Sequence, residues 1–189
     1  MVNMIDSSRR HHRRSIRLPG FDYTQQGAYF VTICSSGREC LFGEIHSGEM
    51  HLNTWGGMVS LCWQDIPRHF PSVDLDAFVV MPNHVHGILV LAETVGATHA
   101  SPLPKDTSVH PRGPTPQSVA AIVGSLKAAV TKRVNENRST RGQRVWQRNY
   151  YEHVIRDEED YYVIRQYIGH NPQRWVEDEN YPRKPGATP

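Results

Sequence analysis

Apolar and polar positions along the chain fall into two periods, and the order of those periods predicts a fold. Residues 28–34, AYFVTIC, are almost continuously apolar and rich in aromatic and β-branched types. Such a run reads as a central strand covered on both faces. EIHSGEMHL at 44–52 reads as a short hairpin turning at Ser47-Gly48. From Asn53 the period lengthens: Val59, Trp63, Ile66 and Phe70 recur at three- and four-residue steps, and Pro71 stands where a helix cannot continue. DAFVVMPNHVHGILVLA at 76–92 reads as two strands around a tight Pro-Asn turn. Val119, Val123, Leu126, Val130 and Val134 then mark one face of a helix of about five turns. A last strand is expected around Tyr151–Ile155. DEEDYYVIRQYIGHNP closes with a helix whose acids sit in its first turn, favourable to the dipole, and whose end is set by Pro172.

Strand, helix, strand, strand, helix, strand and a C-terminal helix make an α+β chain. The order predicts a ferredoxin-like βαββαβ antiparallel sheet with helices packed on one face. A length of 189 residues suits one domain, taken as 21–175, with an arm at 1–20 and a tail at 176–189. Five prolines between 92 and 117 (Pro102, Pro104, Pro111, Pro114, Pro116) predict a loop there. No apolar run approaches the roughly 18 residues that span a bilayer, so no membrane partner is expected. There is no P-loop and no GxGxxG, and nothing suggests a nucleotide cofactor. Cys34, Cys40 and Cys62 lack zinc-like spacing and read as reduced thiols of a cytoplasmic protein.

Charge alters the picture through its distribution, since the net value is only +2. The first twenty residues hold five arginines, among them Arg13, Arg14 and Arg17, against Asp6 alone. Residues 126–148 hold seven basic side chains, including Lys127, Lys132 and Arg148, against Glu136. Two basic clusters on a nearly neutral chain point to a local polyanion site.

The candidate chemistry begins with MPNHVHGILV at 81–90. Side chains alternate along a strand, so His84 and His86 share one face while Val85 takes the other. Two neutral imidazoles side by side make half of a metal site. On the C-terminal helix Tyr167 and Asn171 are four apart and lie one turn from each other. An amide oxygen is a metal ligand and a phenolate is a nucleophile. Together with the imidazoles they would leave open positions for phosphate oxygens, where a metal acts as Lewis acid.

These residues resemble a known family. MPNHVHGILV is similar to the HUH motif (His, hydrophobic, His) of single-tyrosine transposases. RRSIRLPGFDY, IVGSLKAAVTK, VWQRNYYEHVIRDEEDY and QYIGHNP resemble the branch called REP-associated tyrosine transposases, from about Arg13 to about Trp175. The resemblance implies cutting and joining of single-stranded DNA near hairpins through a 5′-phosphotyrosine. By position it makes Tyr167 the nucleophile, His84 and His86 metal ligands, and Mg²⁺ or Mn²⁺ the metal; imidazole favours Mn²⁺. Asn171 would be the third ligand, where insertion-sequence relatives commonly have glutamine. Asn171 is shorter and precedes proline, which disfavours helical geometry, so the neighbouring His170 is the reserve. Arg13, Arg14, Arg17, Ser125, Lys127, Lys132 and Arg148 are the expected DNA contacts. Both monomers and homodimers with exchanged helices occur among such proteins. A second reading keeps the fold without turnover, as a regulator that binds hairpin DNA or RNA.

Overall fold

The computed structural model describes residues 25–92 and 114–182. The arginines of the N-terminal arm, most of the proline-rich loop and residues 183–189 lie outside the described residues. Four strands form one antiparallel sheet: β1 (Gly27–Cys34), β4 (Val73–Val80), β5 (His84–Leu91) and β6 (Tyr151–Ile155), in the order β4-β5-β1-β6. β5 separates β1 from β4, and β1 separates β5 from β6. Each helical crossover therefore skips one strand, which is the split βαβ of the expected ferredoxin-like sheet. β2 (Gly43–His46) and β3 (Glu49–Leu52) make a separate hairpin. Its turn residues Ser47 (φ 52°) and Gly48 (φ 80°) are both left-handed, as a two-residue hairpin loop of matching twist requires.

Helix α1 (Thr54–Gln64) starts where expected, because the Asn53 side chain accepts from the backbone N–H of Trp55 and Gly56. The single helix expected through Phe70 instead breaks at Asp65 into α1 and the short α2 (Ile66–His69). Pro67 lacks the N–H that a continuous helix would need and sits in the first turn of α2, where it costs nothing. β4 starts at Val73, three residues before the expected Asp76; its alternation is masked by a register shift between Leu75 and Phe78. Helix α3 (Val119–Asn137) is capped by Ser118, and α4 (Glu158–His170) by Asp157, whose side chains accept from Ala121 and Asp160 respectively.

The two faces of the sheet are covered differently. Tyr29, Val31 and Ile33 of β1 and Val85 and Leu89 of β5 join α1 and α3 in the larger core, with Trp63 at its centre. Gly87 is what allows this: a Cβ there would lie 2.3 Å from the Trp63 ring. The alternate residues Phe30, Ile88 and Ile155 pack under Ile164 and Ile168 of α4 in a smaller core. Helix α4 thus lies on the face opposite α1 and α3. Trp146 packs on Phe42 with ring centroids 4.9 Å apart, and Trp175 over His84 at 5.9 Å, so both tryptophans are packing residues.

Candidate active site

His84 and His86 open β5 on the α4 face, opposite Cys34 and Thr32 of β1. Their side chains are almost fully buried, at 0% and 2% exposure. Asn83, immediately before the strand, fixes the first of them. Its amide nitrogen donates to the carbonyls of Arg38 (3.0 Å) and Asn180 (2.8 Å), so its oxygen must be the atom facing His84 Nδ1 at 2.8 Å. That oxygen accepts Nδ1–H and leaves Nε2 with a bare lone pair. His86 Nδ1 is bonded to the Thr32 hydroxyl at 2.8 Å. The two Nε2 atoms face each other at 2.9 Å.

Helix α4 brings Tyr167 to the same point. Its hydroxyl lies 3.2 Å from His86 Nε2 and 3.5 Å from Asp178 Oδ2. Tyr161, one and a half turns earlier, donates to the Asp76 carboxylate of β4, and Arg165 reaches the same carboxylate at 3.4 Å. These contacts tie the helix to its own sheet. Past α4 the chain makes a 3₁₀ turn (Pro172–Glu177) and returns over the histidines, carrying Asp178. Asp178 Oδ2 accepts from Asn171 Nδ2 at 3.1 Å and lies 3.9 Å from His84 Nε2.

Asn171 keeps helical dihedrals (φ −58°, ψ −42°) against the expectation from Pro172, because the following 3₁₀ turn continues from it. It is buried, and its Oδ1 has no hydrogen-bond partner among the described residues. His170 is exposed, with Nδ1 on the Gln166 carbonyl. Among the described residues, His84, His86 and Asp178 form the one group of histidine, cysteine and acidic ligand atoms suited to a metal, all within 4.8 Å of one another. The site fits a divalent ion on three counts. A bare imidazole lone pair points into it, a buried carboxylate faces it, and the buried Asn171 amide, which donates to that carboxylate, has an oxygen without a partner among the described residues.

Electrostatics agree with a neutral imidazole pair. Burial pulls His84 down to about 4, with Asp178 raising it and Arg38 lowering it. His86 is held well below its usual value by burial and then by His84. The His84–Asp178 contact is therefore not an ion pair at neutral pH. Burial and then Asp178 push the Tyr167 phenol up to about 12, while a hydrogen bond from Asn171 pulls it down. The phenol is a resting acid here, and ionising it needs a proton acceptor or a cation.

Asp178, Asn83 and Thr32 were not singled out in the sequence. Asn83 had a signal, since it precedes the first histidine and an orienting partner is expected there. Asp178 had none, because it follows an irregular turn. Of the expected DNA contacts, Ser125, Lys132 and Arg148 are exposed. Lys127 commits its ammonium to the carbonyls of Gln147, Arg148 and Asn149 at 2.7, 3.2 and 3.3 Å.

No protein-family model matches the chain. A Haemophilus influenzae protein described as uncharacterized is 46% identical over 171 residues, 90% of this chain and 94% of that protein. The two belong to one family. A second protein of the same organism, described as a "Putative REP-associated tyrosine transposase", is 24% identical over 159 residues, 80% of this chain and 73% of its own length. Among solved structures, a REP-associated tyrosine transposase bound to a REP hairpin aligns with a TM-score of 0.56 at 22% identity, covering 82% of this chain and 72% of that one. The chain has the fold of a REP-associated tyrosine transposase. The family resemblance read from its motifs is borne out. In this chain the histidine pair sits on the inner strand β5 and Tyr167 on α4, the helix that covers that face.

Proposed function

We propose that this protein is a metal-dependent endonuclease and strand transferase for single-stranded DNA at hairpins, working through Tyr167 in its own chain. The observation that carries the reading is the Tyr167 hydroxyl 3.2 Å from His86 Nε2, beside a buried cluster of two imidazoles and a carboxylate. The hairpin substrate follows the REP-hairpin-bound transposase that shares the fold.

His84 and His86, with Asp178 and the unpartnered oxygen of Asn171, would hold Mn²⁺ or Mg²⁺. Bound there, the ion supplies Lewis acidity that offsets charge developing on a scissile phosphate. Asn83 and Thr32 hold the imidazoles in register, and Trp175 keeps water from one side. The Tyr167 oxygen attacks phosphorus and releases its proton to solvent. A phosphorus–oxygen bond to tyrosine forms as the bond to the 3′-oxygen breaks, and that oxygen leaves as a hydroxyl after taking a proton from solvent. The phosphotyrosine keeps the bond energy for rejoining.

The rest of the substrate has a counterpart in a groove of about 1010 Å³ between α3 and residues 139–148. Lys132, Arg141, Arg144 and Arg148 line it against Glu136. Cations of this density suit a phosphate backbone and give salt-dependent, sequence-independent affinity. Lys127 shapes this groove by holding residues 147–149. The test is a labelled hairpin oligonucleotide incubated with Mn²⁺ or Mg²⁺. The reading expects a protein–DNA adduct that survives denaturant and is lost in Tyr167→Phe. Tight binding without an adduct under either metal would instead make the protein a hairpin-binding regulator.

A further inference from the structure

Two depressions flank Tyr167, and their chemistry differs. One, of about 570 Å³, is lined by Glu177, Asp178 and Glu179 together with His170 and Arg174. The other, of about 550 Å³, opens beside β1 and β6, and among the described residues Arg38 is its one permanent cation against one acid, Glu179. Its lining is aromatic. Phe30 meets Tyr151 and Tyr167 edge-on, with ring centroids at 6.2 and 6.0 Å and interplanar angles of 68° and 82°, and stacks on His86 at 5.3 Å. The ring and the imidazole that define the reacting centre are therefore walls of this cleft.

Arg38 is held there in an unusual way. Its φ of 56° lies in the left-handed region that residues with a side chain rarely adopt. Its carbonyl accepts from Asn83, the residue that orients His84, and its Nη1 donates to the Glu179 carbonyl at 3.1 Å. Backbone strain of this kind persists where the surroundings over-determine it, beside sites. The cleft also meets the basic groove of α3, since Gln147 lines both. A strand leaving a duplex in the groove reaches the aromatic cleft next.

We propose that this cleft seats one unpaired nucleotide adjacent to the scissile phosphate, with its base against Tyr151 and Phe30 and its phosphate on Arg38. Stacking on aromatic rings holds any base, and a planar guanidinium matches phosphate oxygens. In the metal-free protein the depression on the other side of Tyr167 sets Glu177, Asp178 and Glu179 against Arg174, which is paired with Glu177, so a phosphate chain favours the Arg38 side. The inference rests on the single-stranded DNA reading above and is tested without turnover.

Tyr167→Phe protein in chelator is titrated with a hairpin whose single-stranded extension carries 2-aminopurine at successive positions. One position is expected to be quenched on binding. Tyr151→Leu removes that quenching, whereas Tyr151→Phe keeps it. Arg38→Asn, which tolerates the left-handed backbone, weakens the extended hairpin by tenfold or more, and Arg38→Lys recovers part of the loss. A hairpin stem lacking the extension binds all variants alike. Unchanged quenching and affinity in Tyr151→Leu and Arg38→Asn overturn the inference while the nuclease reading stands. Failure of the unmodified cleft to bind either stem or extended hairpin sinks both.

Discussion

The two faces of the sheet come from the same strands, one residue out of step, and they bury opposite chemistry. Towards α1 and α3, Tyr29, Val31, Ile33, Val85 and Leu89 are apolar and wholly covered. Towards α4 the same two strands present Thr32, His84 and His86 beside Phe30 and Ile88, and the strap adds Asp178 and Asn171. A buried polar atom without a partner costs about 1–3 kcal/mol. Among the described residues the first face holds the Trp63 and Trp146 indole nitrogens in that state and the second the Asn171 amide oxygen. Only the second adds two imidazoles whose charged forms burial disfavours. The comparison teaches a division of labour. Apolar packing on one face supplies the stability that lets the other keep two facing imidazoles and a carboxylate out of water.

The largest effect expected is on chemistry alone. Tyr167→Phe should lower adduct formation by about 10³-fold or more, as removal of a nucleophile does. Its unfolding free energy should stay within about 1 kcal/mol of the parent, since the contacts of the hydroxyl to His86 and Asp178 are long. Urea denaturation alongside the adduct assay checks both halves. The opposite face should behave in the opposite sense. Trp63→Ala removes the central ring of the larger core and should cost about 3–5 kcal/mol. Adduct yield per folded molecule should be unchanged. A Trp63 variant that kept its stability but lost activity would break the comparison.

Acid sharpens it next. His84 sits at about 4 when folded, against about 6.5 when unfolded. Between those values the unfolded chain takes a proton that the folded site refuses. Stability is therefore fully present above about pH 6.5 and falls as the pH drops towards 4. The loss from this residue reaches about 3 kcal/mol. Denaturant titrations in chelator across that window should show the slope, and His84→Gln should reduce it, with buried His86 carrying the remainder. The smallest effect is from metal. At a hundredfold excess over its dissociation constant, Mn²⁺ should stabilise the protein by about 2.7 kcal/mol. Calorimetry should find that gain lost in His84→Ala and retained in His170→Ala.

Much of this arrangement was legible in the sequence, for physical reasons particular to each element. AYFVTIC and HGILV are covered on both sides, so their composition alone marks inner strands. The histidine pair was legible through the two-residue period, and the closeness of Tyr167 and Asn171 through the helical one. The break at Asp65 had a signal in Pro67, but apolar spacing that continues through Ile66 and Phe70 outweighed it. Asp178 was hidden for a deeper reason. It reaches the site through a 3₁₀ turn anchored by Trp175 on His84, and no period in the chain reports a contact of that kind. Lys127 read as a DNA contact because sequence cannot show three carbonyls converging on it.

The most direct test is to locate the covalent link itself. The denatured adduct formed with a hairpin oligonucleotide and Mn²⁺ is digested with nuclease and protease, and the modified peptide is sequenced by mass spectrometry. The phosphonucleotide should sit on Tyr167. Finding it on Tyr150, Tyr151, Tyr161 or Tyr162, or finding the parent's adduct formed equally by Tyr167→Phe, would contradict the account.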